Sequence, residues 1–244
     1  MIKAVLFDLY ETLGRVDIHD EEQLGENRLR DIIDLTSSRK MNVDAARFRQ
    51  VFHDISSEAS RRSQQESVEI PIDKIFARVL KELNLPADDR LLIEMEKVYY
   101  RIPKNRWILF NDTRETLQKL SARNFKLALV SNVRSDRFVR ELVKEVNIER
   151  YFDVIITSAQ LGIRKPRPQL FLEALKELKV RPDQAAIVGD TLTTDIQGGA
   201  ALGMKTILIN RNRTEVSAPR PDATIGNLSE LLGVLEKWNG SWHR

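Results

Sequence analysis

Four polar motifs carry the side chains of this sequence that are most able to do chemistry, and each one closes or follows a short apolar run. They are FDLYETL with Asp8, Tyr10 and Thr12, LVSNV with Ser131 and Asn132, GIRKPRP with Lys165, and VGDTLTTDIQGG with Asp190 and Asp195. A carboxylate such as Asp8 can attack an electrophilic phosphorus or carbon atom and form an ester that water later hydrolyses. Each residue taken alone is ordinary, because Asp, Thr and Ser at strand ends more often form turns or cap helices. The chemistry therefore depends on whether the fold brings the four motifs together.

The apolar runs beside these motifs indicate the strands of a parallel sheet. The run from Ile2 to Leu9 alternates too little between apolar and polar residues for an exposed strand, so it is typical of a strand buried on both faces. Similar runs recur later in the chain, at Phe125 to Val130, Asp153 to Thr157, Ala185 to Val188 and Met204 to Ile209. Helical patterns separate them, as in PRPQLFLEALKELKV, where one face carries Phe171, Ala174, Leu175 and Leu178. Strands that alternate with helices predict right-handed βαβ units and a doubly wound α/β fold. Functional groups in such a fold gather at the carboxyl ends of the strands, where we expect all four motifs to lie.

Residues 15–105 interrupt this alternation and predict a separate helical unit. The stretch contains long polar helical patterns, such as KIFARVLKEL, and no convincing strand. We therefore expect an all-helical domain at 15–105, inserted into an α/β core made of residues 1–14 and 106–244. The chain is expected to return to the core near Trp107 to Asp112, with Asp112 or Thr113 capping the next helix. The C-terminal segment DATIGNLSELLGVLEKW indicates a last short strand and a closing helix.

Composition and charge narrow the class of protein further. The chain has 244 residues, 42% of them hydrophobic and 31% charged, which is typical of a soluble globular protein with one sizeable core and a smaller accessory domain. The absence of cysteine excludes disulfides and thiolate chemistry and favours a cytoplasmic protein. No apolar run approaches the roughly 20 residues of a membrane helix, so we expect neither a membrane span nor a signal peptide. The 39 basic and 36 acidic residues are interleaved, and the formal charge of +3 gives little reason to expect nucleic-acid binding. A small-molecule substrate is the expected partner, and apolar surface on the helical insertion is compatible with a homodimer.

Taken together, in this order and at this spacing, the four motifs resemble those of the haloacid dehalogenase-like hydrolase superfamily. The resemblance covers the whole predicted core, and the helical insertion is similar in position and size to the cap that members carry over the active site. It implies a Rossmann-like core and a covalent mechanism with Asp8 as the nucleophile and with Lys165 and Tyr10 at the catalytic centre. It also implies Mg²⁺ as the cofactor, bound by Asp8, Asp190 and the main-chain carbonyl of Tyr10, with Asp195 supporting Lys165 and the metal, and with Thr12, Ser131 and Asn132 binding substrate.

Two positions within these motifs point to different reactions. Phosphatases of the superfamily carry a second aspartate two residues after the nucleophile, where it protonates the leaving oxygen, and this chain has Tyr10 there. A tyrosine at this position resembles the superfamily's 2-haloacid dehalogenases, whose halide leaves without needing a proton. Those dehalogenases work without a metal, however, and carry small uncharged polar residues in place of Asp190. A carboxylate at that position would repel Asp8 unless a cation lay between them.

Three functions are therefore expected, in descending order. The first is Mg²⁺-dependent hydrolysis of a small phosphorylated metabolite. Either its leaving group needs little protonation, as in an acyl, enol or aryl phosphate, or a residue of the helical insertion or a water molecule replaces the missing acid. The second is a 2-haloacid dehalogenase, which requires an arginine for the substrate carboxylate; Arg39 is a candidate, although a solvated Arg39 is the commoner outcome. Arg15 and Tyr100 are further candidates for substrate contact. The third is a binding protein without activity, which the intact set of motifs disfavours.

Overall fold

The computed structural model describes residues 1–17, 20–212 and 218–240. A six-stranded sheet forms its centre, and all pairs of neighbouring strands in it are parallel, as the sequence predicts. Two short antiparallel strands stand apart from this sheet. The strands are β1 Ala4–Phe7, β2 Gly14–Val16, β3 Trp107–Leu109, β4 Lys126–Ser131, β5 Val154–Thr157, β6 Ala185–Gly189, β7 Lys205–Ile209 and β8 Ala223–Ile225.

The order of the strands places a crevice beside β1. The order is β5-β4-β1-β6-β7-β8, so the chain builds outward from β1 on one side and then returns to its other side with β6. Phe7, at the end of β1, pairs with Leu129 in β4 and with Val188 in β6. The direction of building thus reverses between β1 and β6. Open α/β sheets bind their ligands in the crevice that such a reversal leaves at the carboxyl ends of the strands.

Helices cover both faces of the sheet, which explains why its central strands are apolar throughout. Val5 and Phe7 of β1 pack into the apolar core on one face, and Leu6 packs into the core on the other. The predicted strands are confirmed, with ends that differ by one or two residues. No helix in the described ranges is both long and apolar enough to cross a membrane. The helices are α1 Glu21–Ser38, α2 Ala45–Glu66, α3 Ile72–Glu82, α4 Asp89–Asn105, α5 Thr113–Ala122, α6 Asp136–Glu145, α7 Ser158–Leu161, α8 Pro168–Leu178, α9 Gln197–Ala201 and α10 Leu231–Asn239.

Helices α1 to α4, between β2 and β3, form a helical unit with an interior of its own. Their apolar faces enclose a cluster that includes Phe48, Phe76 and Met95, each of them fully buried. Tyr100, on α4, packs against this cluster and also against the core of the sheet. The helical unit is thus built around its own hydrophobic core and meets the sheet along an aromatic wall.

The expectation that residues 15–105 contain no strand is wrong at their first residues. β2 pairs with β3, so the chain that leaves the sheet and the chain that returns to it form a two-stranded ribbon. A side chain at Gly14 would place its Cβ 2.5 Å from the carbonyl oxygen of Ile108. Only glycine permits so close an approach of the two strands, and the sequence pattern did not reveal this pairing.

The expected cap of α5 is confirmed in position, at Asp112, but the capping hydrogen bond is absent. Asp112 occupies the position before the helix, but its carboxylate makes no bond to the first turn and instead accepts hydrogen bonds from the guanidinium of Arg211 and the amide of Leu228. The Thr113 hydroxyl donates to the carbonyl of Leu13 at 2.7 Å. Distant groups compete successfully for both side chains, which local sequence cannot show.

Candidate active site

Lys165 lies at the centre of a buried polar cluster beyond the carboxyl ends of the strands. Its side chain is 1% exposed, and its ammonium group donates hydrogen bonds to Asp8 Oδ1 at 2.6 Å, to Asp195 Oδ1 at 2.6 Å and to the carbonyl of Val130 at 2.8 Å. These bonds use all the N–H groups of the ammonium. Burial opposes the charged form of Lys165, but Asp195 and Asp8 outweigh burial and raise the pKa of Lys165 above its ordinary value of 10.5. Lys165 is therefore a fixed positive charge.

Asp8 follows β1 directly, at the switch point of the sheet. Its amide donates to the carbonyl of Val188 at 2.9 Å, which extends the pairing of β1 with β6 and fixes the direction of the Asp8 side chain. Lys165 binds one carboxylate oxygen, Oδ1, and no described group donates a hydrogen bond to the other. The side chain is 10% exposed, so the second oxygen is able to meet a group that enters the crevice.

Asp190 and Asp195 reach the same place from the end of β6. Asp195 lies in a single π-helical turn, Leu192–Ile196, a feature that occurs frequently at functional sites. Its carboxylate is held by Lys165 at Oδ1 and by the amide of Thr191 at Oδ2, the latter at 3.2 Å. A Cβ at Gly189 would stand 2.3 Å from this carboxylate, so glycine is needed there to leave room for Asp195.

This cluster contains more negative than positive charge. Carboxylate oxygens of Asp8, Asp190 and Asp195 lie within 4.8 Å of one another, and among the described residues Lys165 is the cation that bonds to them. Burial, followed by the charge of Asp8, raises the pKa of Asp190 to about 6. Burial also raises the pKa of Asp195, against the opposing charge of Lys165. All-oxygen clusters of this kind suit hard cations such as Mg²⁺, and a bound cation would remove the repulsion, so the residues present fit a magnesium ion.

Ser131 and Asn132 stand at the end of β4, beside this cluster. Ser131 is 1% exposed and follows Val130, whose carbonyl accepts a bond from Lys165. Asn132 accepts a hydrogen bond from the Lys165 amide at 2.8 Å and donates one to the Lys165 carbonyl at 3.1 Å. The substrate-binding roles of Ser131 and Asn132 stay predictions. The geometry adds that Asn132 holds the backbone of the loop that carries Lys165.

Thr12 and Tyr10 lie in the turn after Asp8. Thr12 is fully buried, and its hydroxyl has no hydrogen-bond partner among the described residues, a state that a substrate oxygen would relieve. Tyr10 packs edge-on against Trp107, with ring centroids 5.0 Å apart. Burial raises the pKa of Tyr10 above its ordinary value of 10.0, opposed by Arg28 and assisted by Asp8. The phenol therefore keeps its proton at neutral pH and is a weak acid.

An ion pair with a buried carboxylate joins the helical unit to the loops around this cluster, and the sequence motifs did not predict its acidic partner, Glu69. Glu69 lies between α2 and α3 with a fully buried side chain, and its carboxylate pairs with Arg164. The same carboxylate accepts a hydrogen bond from the Ser158 hydroxyl at 2.6 Å, and that hydroxyl accepts one from the amide of Val133 at 2.7 Å. Glu69 thus ties the helical unit to the residue that precedes Lys165.

The remaining candidates from the sequence serve other contacts. Arg39 ends α1 and pairs with Glu94, so its charge is already matched inside the helical unit. Arg15 is exposed on β2. Tyr100 stacks on Phe138 with ring centroids 4.5 Å apart, which makes it part of the wall between the helical unit and the sheet.

Known proteins with the same architecture carry out both reactions that the sequence suggests. The family model of haloacid dehalogenase-like hydrolases matches residues 2–203. A glyceraldehyde 3-phosphate phosphatase from Methanopyrus kandleri is 28% identical over 245 residues, which span 97% of this chain and 98% of the relative. The solved structure of a 2-haloacid dehalogenase from Pseudomonas syringae covers 98% of this chain and 100% of its own, with a TM-score of 0.74 and 29% identity. A phosphatase from Thermococcus onnurineus covers 96% of this chain and 98% of its own, with a TM-score of 0.65 and 28% identity. The choice between the two reactions therefore depends on the site itself.

Proposed function

The chain belongs to the haloacid dehalogenase-like hydrolases, and on that premise we propose that it is a Mg²⁺-dependent phosphohydrolase of a small phosphorylated metabolite, with Asp8 as nucleophile. The position of Asp190 is the observation that carries this proposal. Its carboxylate lies within 4.8 Å of those of Asp8 and Asp195, and among the described residues the single ammonium of Lys165 bonds to this group. Buried carboxylates this close repel one another unless a further cation is present. A phosphate ester is itself anionic, so it too requires that cation before it can approach Asp8.

The proposed reaction has two steps at Asp8. The free carboxylate oxygen attacks phosphorus and forms an aspartyl phosphate, while the bond from phosphorus to the leaving oxygen breaks and the leaving oxygen takes the electron pair. Water then attacks the phosphorus of the aspartyl phosphate, the bond to Asp8 breaks, and inorganic phosphate and the free carboxylate result. Mg²⁺, held by Asp8, Asp190 and the main-chain carbonyl of Tyr10, would neutralise negative charge on the phosphoryl group.

The other polar groups of the site are proposed to bind and orient. Lys165, fixed by Asp195 and by the carbonyl of Val130, compensates negative charge beside Asp8. The hydroxyls of Thr12 and Ser131 are proposed to donate to phosphoryl oxygens, and the lack of a hydrogen-bond partner for the Thr12 hydroxyl among the described residues supports this role. Asp195 acts through Lys165, because its Oδ1 accepts a bond from that ammonium.

Tyr10 is proposed to limit the leaving groups that the enzyme accepts. The raised pKa of this phenol makes it a poor donor to an alkoxide, so acyl, enol and aryl phosphates, which leave with little protonation, are the expected substrates. The same residue is the observation that favours a second candidate, a 2-haloacid dehalogenase, because a halide ion leaves without a proton.

We further propose that residues 15–105 are a cap that covers the crevice, and that residues 1–14 and 106–244 are the core. Support comes from Tyr100 and from the pair of Glu69 with Arg164, since both join the helical unit to the sheet close to the loops of the cluster. A cytoplasmic location and a homodimer stay predictions.

The test compares two substrates under two metal conditions. Hydrolysis of para-nitrophenyl phosphate and chloride release from 2-chloropropionate are each measured with Mg²⁺ and with a chelator, using Asp8→Asn as the blank. We expect turnover of the aryl phosphate that disappears with the chelator. Asp190→Ser, which installs the small polar residue of the dehalogenases, should remove that turnover as well.

Chloride release that is unaffected by the chelator would replace the proposal with the dehalogenase. Aryl phosphate turnover that survives in Asp8→Asn would remove Asp8 as the nucleophile. Because Asp8→Asn and Asp190→Ser differ from the wild type by one side chain each, their thermal unfolding is recorded in parallel to show that both remain folded.

A further inference from the structure

The segment that connects α2 to α3, residues 67–71, is fastened to the backbone just before Lys165. Three backbone contacts join the two: a bridge between Val68 and Ile163, a hydrogen bond from the Glu69 amide to the Gly162 carbonyl at 2.9 Å, and one from the Arg164 amide to the Ser67 carbonyl at 3.0 Å. This contact lies far along the chain from the ribbon of β2 and β3, at which the helical unit begins and ends. The helical unit is therefore attached to the rest of the chain at a second place, next to a residue of the buried polar cluster.

The side chain of Glu69 connects two loops of the site. It is fully buried, and its carboxylate pairs with Arg164 and accepts a hydrogen bond from the Ser158 hydroxyl. That hydroxyl in turn accepts a hydrogen bond from the amide of Val133, in the loop that follows β4. Arg164 immediately precedes Lys165 in the chain. One carboxylate of the helical unit thus holds both the backbone before Lys165 and the loop after β4.

The loop after β4 is bonded to the helical unit at further points. The carbonyl of Arg134 accepts a hydrogen bond from the amide of Ile72 at 2.8 Å, and its guanidinium donates to two serine hydroxyls of α2. Asn132, in the same loop, bonds to both the amide and the carbonyl of Lys165. The loop after β4, the loop of Lys165 and the segment 67–71 therefore form one hydrogen-bonded unit.

Lys165 has little freedom to move without losing its contacts. Its ammonium group is bonded at 2.6 to 2.8 Å to Asp8, the proposed nucleophile, and to Asp195 and Val130. A shift of the ammonium by about 1 Å would take at least one of these bonds out of the hydrogen-bonding range, and a misplacement of that size can lower the rate of an enzyme by about 100-fold. The backbone before Lys165 must therefore be fixed if Lys165 is to act.

We propose that Glu69 is a positioning residue that keeps Lys165 in place against Asp8. It acts through Arg164 and Ser158. This inference rests on the proposed phosphohydrolase function and adds a residue of the helical unit to the groups on which the reaction depends. The charge of Glu69 matters as well as its shape, because a buried carboxylate requires its partners in good geometry, and this requirement fixes the guanidinium of Arg164.

The helical unit contains a matched control in Glu96, on α4. Glu96 is also buried, and its carboxylate accepts a hydrogen bond from the hydroxyl of Ser135 and pairs with Arg137 at 3.2 Å. Glu69 and Glu96 thus bond to the same two kinds of group, a serine hydroxyl and a guanidinium. The described bonds of Glu96 go to the start of α6, however, and not to the loop of Lys165. If these carboxylates only join the helical unit to the sheet, the loss of either charge should affect activity equally.

The experiment compares Glu69→Gln with Glu96→Gln in the hydrolysis of para-nitrophenyl phosphate with Mg²⁺ present. Glutamine keeps the size of the side chain and one acceptor oxygen but removes the charge. We expect Glu69→Gln to lower kcat by about 10- to 100-fold with a smaller change in KM, because Lys165 bonds to the nucleophile itself. Glu96→Gln should leave both constants close to those of the wild type. Thermal unfolding is recorded in parallel, and if Glu69→Gln does not fold, Glu69→Asp takes its place, since it keeps the charge but withdraws the carboxylate by one methylene group.

Hydrogen exchange of backbone amides supplies a measurement that does not depend on turnover. Glu69→Gln should speed exchange at the amides of Val133, Arg164 and Lys165 by about 10-fold or more, as expected when a hydrogen bond to a charged group is lost. Glu96→Gln should leave exchange at these three amides unchanged. A lower kcat together with faster exchange in Glu69→Gln alone would support the proposal.

Equal effects of Glu69→Gln and Glu96→Gln, or a kcat of Glu69→Gln at the wild-type value, would overturn the positioning role while leaving the phosphohydrolase intact. A lower kcat without faster exchange would also overturn it, because Glu69 would then act elsewhere than on Lys165. If the wild type hydrolyses no aryl phosphate, the phosphohydrolase is rejected and hydrogen exchange alone decides. Faster exchange in Glu69→Gln alone would then support the hold of Glu69 on Lys165, and unchanged exchange would reject both proposals.

Discussion

Replacing Tyr10 by aspartate should supply the leaving-group acid that the site lacks. General acid catalysis by a positioned carboxyl group contributes typically 10²- to 10⁴-fold to the rate. The gain should appear with alkyl phosphates such as glycerol 1-phosphate, because an alkoxide leaves poorly without a proton. Aryl phosphates should gain little, because their leaving groups already depart with little protonation. The expected result is a change of selectivity: kcat/KM for alkyl phosphates rises by at least about 100-fold relative to aryl phosphates.

The packing of Tyr10 determines how much this substitution destabilises the fold. The ring is partly buried and meets Trp107 edge-on at 5.0 Å, so aspartate removes an aromatic pair and leaves space beside the indole. Truncation of a fully buried aromatic residue lowers the free energy of unfolding by about 3 to 5 kcal/mol. Because Tyr10 is partly exposed, we expect a decrease at or below the lower end of that range. Activities are therefore compared at a temperature at which urea unfolding shows the variant to be folded.

Tyr10→Asn is the matched control, because it has the same size and the same packing defect but carries no acid. The measured quantity is kcat/KM for an alkyl phosphate in Tyr10→Asp divided by that in Tyr10→Asn. Both variants lose the same aromatic contact, so the effect of that loss on activity cancels in the ratio. Equal values in two variants that fold and retain Mg²⁺-dependent aryl phosphate turnover would refute the reasoning that the missing acid limits the leaving group.

Two further predictions concern stability. Glu69→Ala leaves Arg164 without its buried partner and should lower the free energy of unfolding by about 3 to 5 kcal/mol. The control Glu66→Ala breaks an exposed pair with Arg62 and should lower it by no more than about 1 kcal/mol. Equal shifts of the urea midpoint would show that Glu69 contributes no more than a surface charge. Burial alone would raise the pKa of Asp222, but hydrogen bonds from Lys205 and Thr206 outweigh it and lower that pKa below 3.8. A lowered pKa stabilises the fold above the unfolded value and loses this contribution as the pH falls through the folded value. Asp222→Asn should therefore be less stable than wild type by about 1 kcal/mol at pH 7, and this difference in the free energy of unfolding should shrink as the pH falls below 3.8. A difference that stays constant in urea titrations from pH 7 to the lowest pH at which both proteins fold would contradict this assignment.

The sequence predicted the fold and the proximity of the polar motifs because both depend on local patterns. The apolar run before Asp8 marks β1 as a strand buried on both faces, and parallel topology alone brings its carboxyl end beside that of β6. Asp8 and Asp190 follow those two strands directly, so their proximity follows from the order of the strands. Lys165 comes from a loop, and its bonds to Asp8 and Asp195 agree with the resemblance on which it was chosen.

Contacts between the helical unit and the sheet could not be predicted in this way. Glu69 lies 95 residues before Arg164 in the chain, and Glu69 belongs to none of the four motifs, although Arg164 lies in GIRKPRP. The pairing of β2 with β3 depends on Gly14, whose single hydrogen side chain leaves room for Ile108, and an isolated glycine has many explanations in a sequence.

The residue that departs from the phosphatase pattern therefore has a structural role as well as a chemical one. The Tyr10 ring rests on Trp107, the first residue of β3, and β3 pairs with β2 at the point where the chain enters the helical unit. A Cβ at Gly14 would also stand 2.8 Å from the indole nitrogen of Trp107, so the aromatic pair and the ribbon fit each other closely. An aspartate in place of Tyr10 would supply an acid but lose this support. Under our proposal, Asp8, Lys165 and the carboxylates beside them determine which kind of bond is attacked, while Tyr10 lies beside the ribbon through which the chain enters the helical unit. Tyr10 is therefore proposed to act both on the choice of leaving group and on the packing of the ribbon.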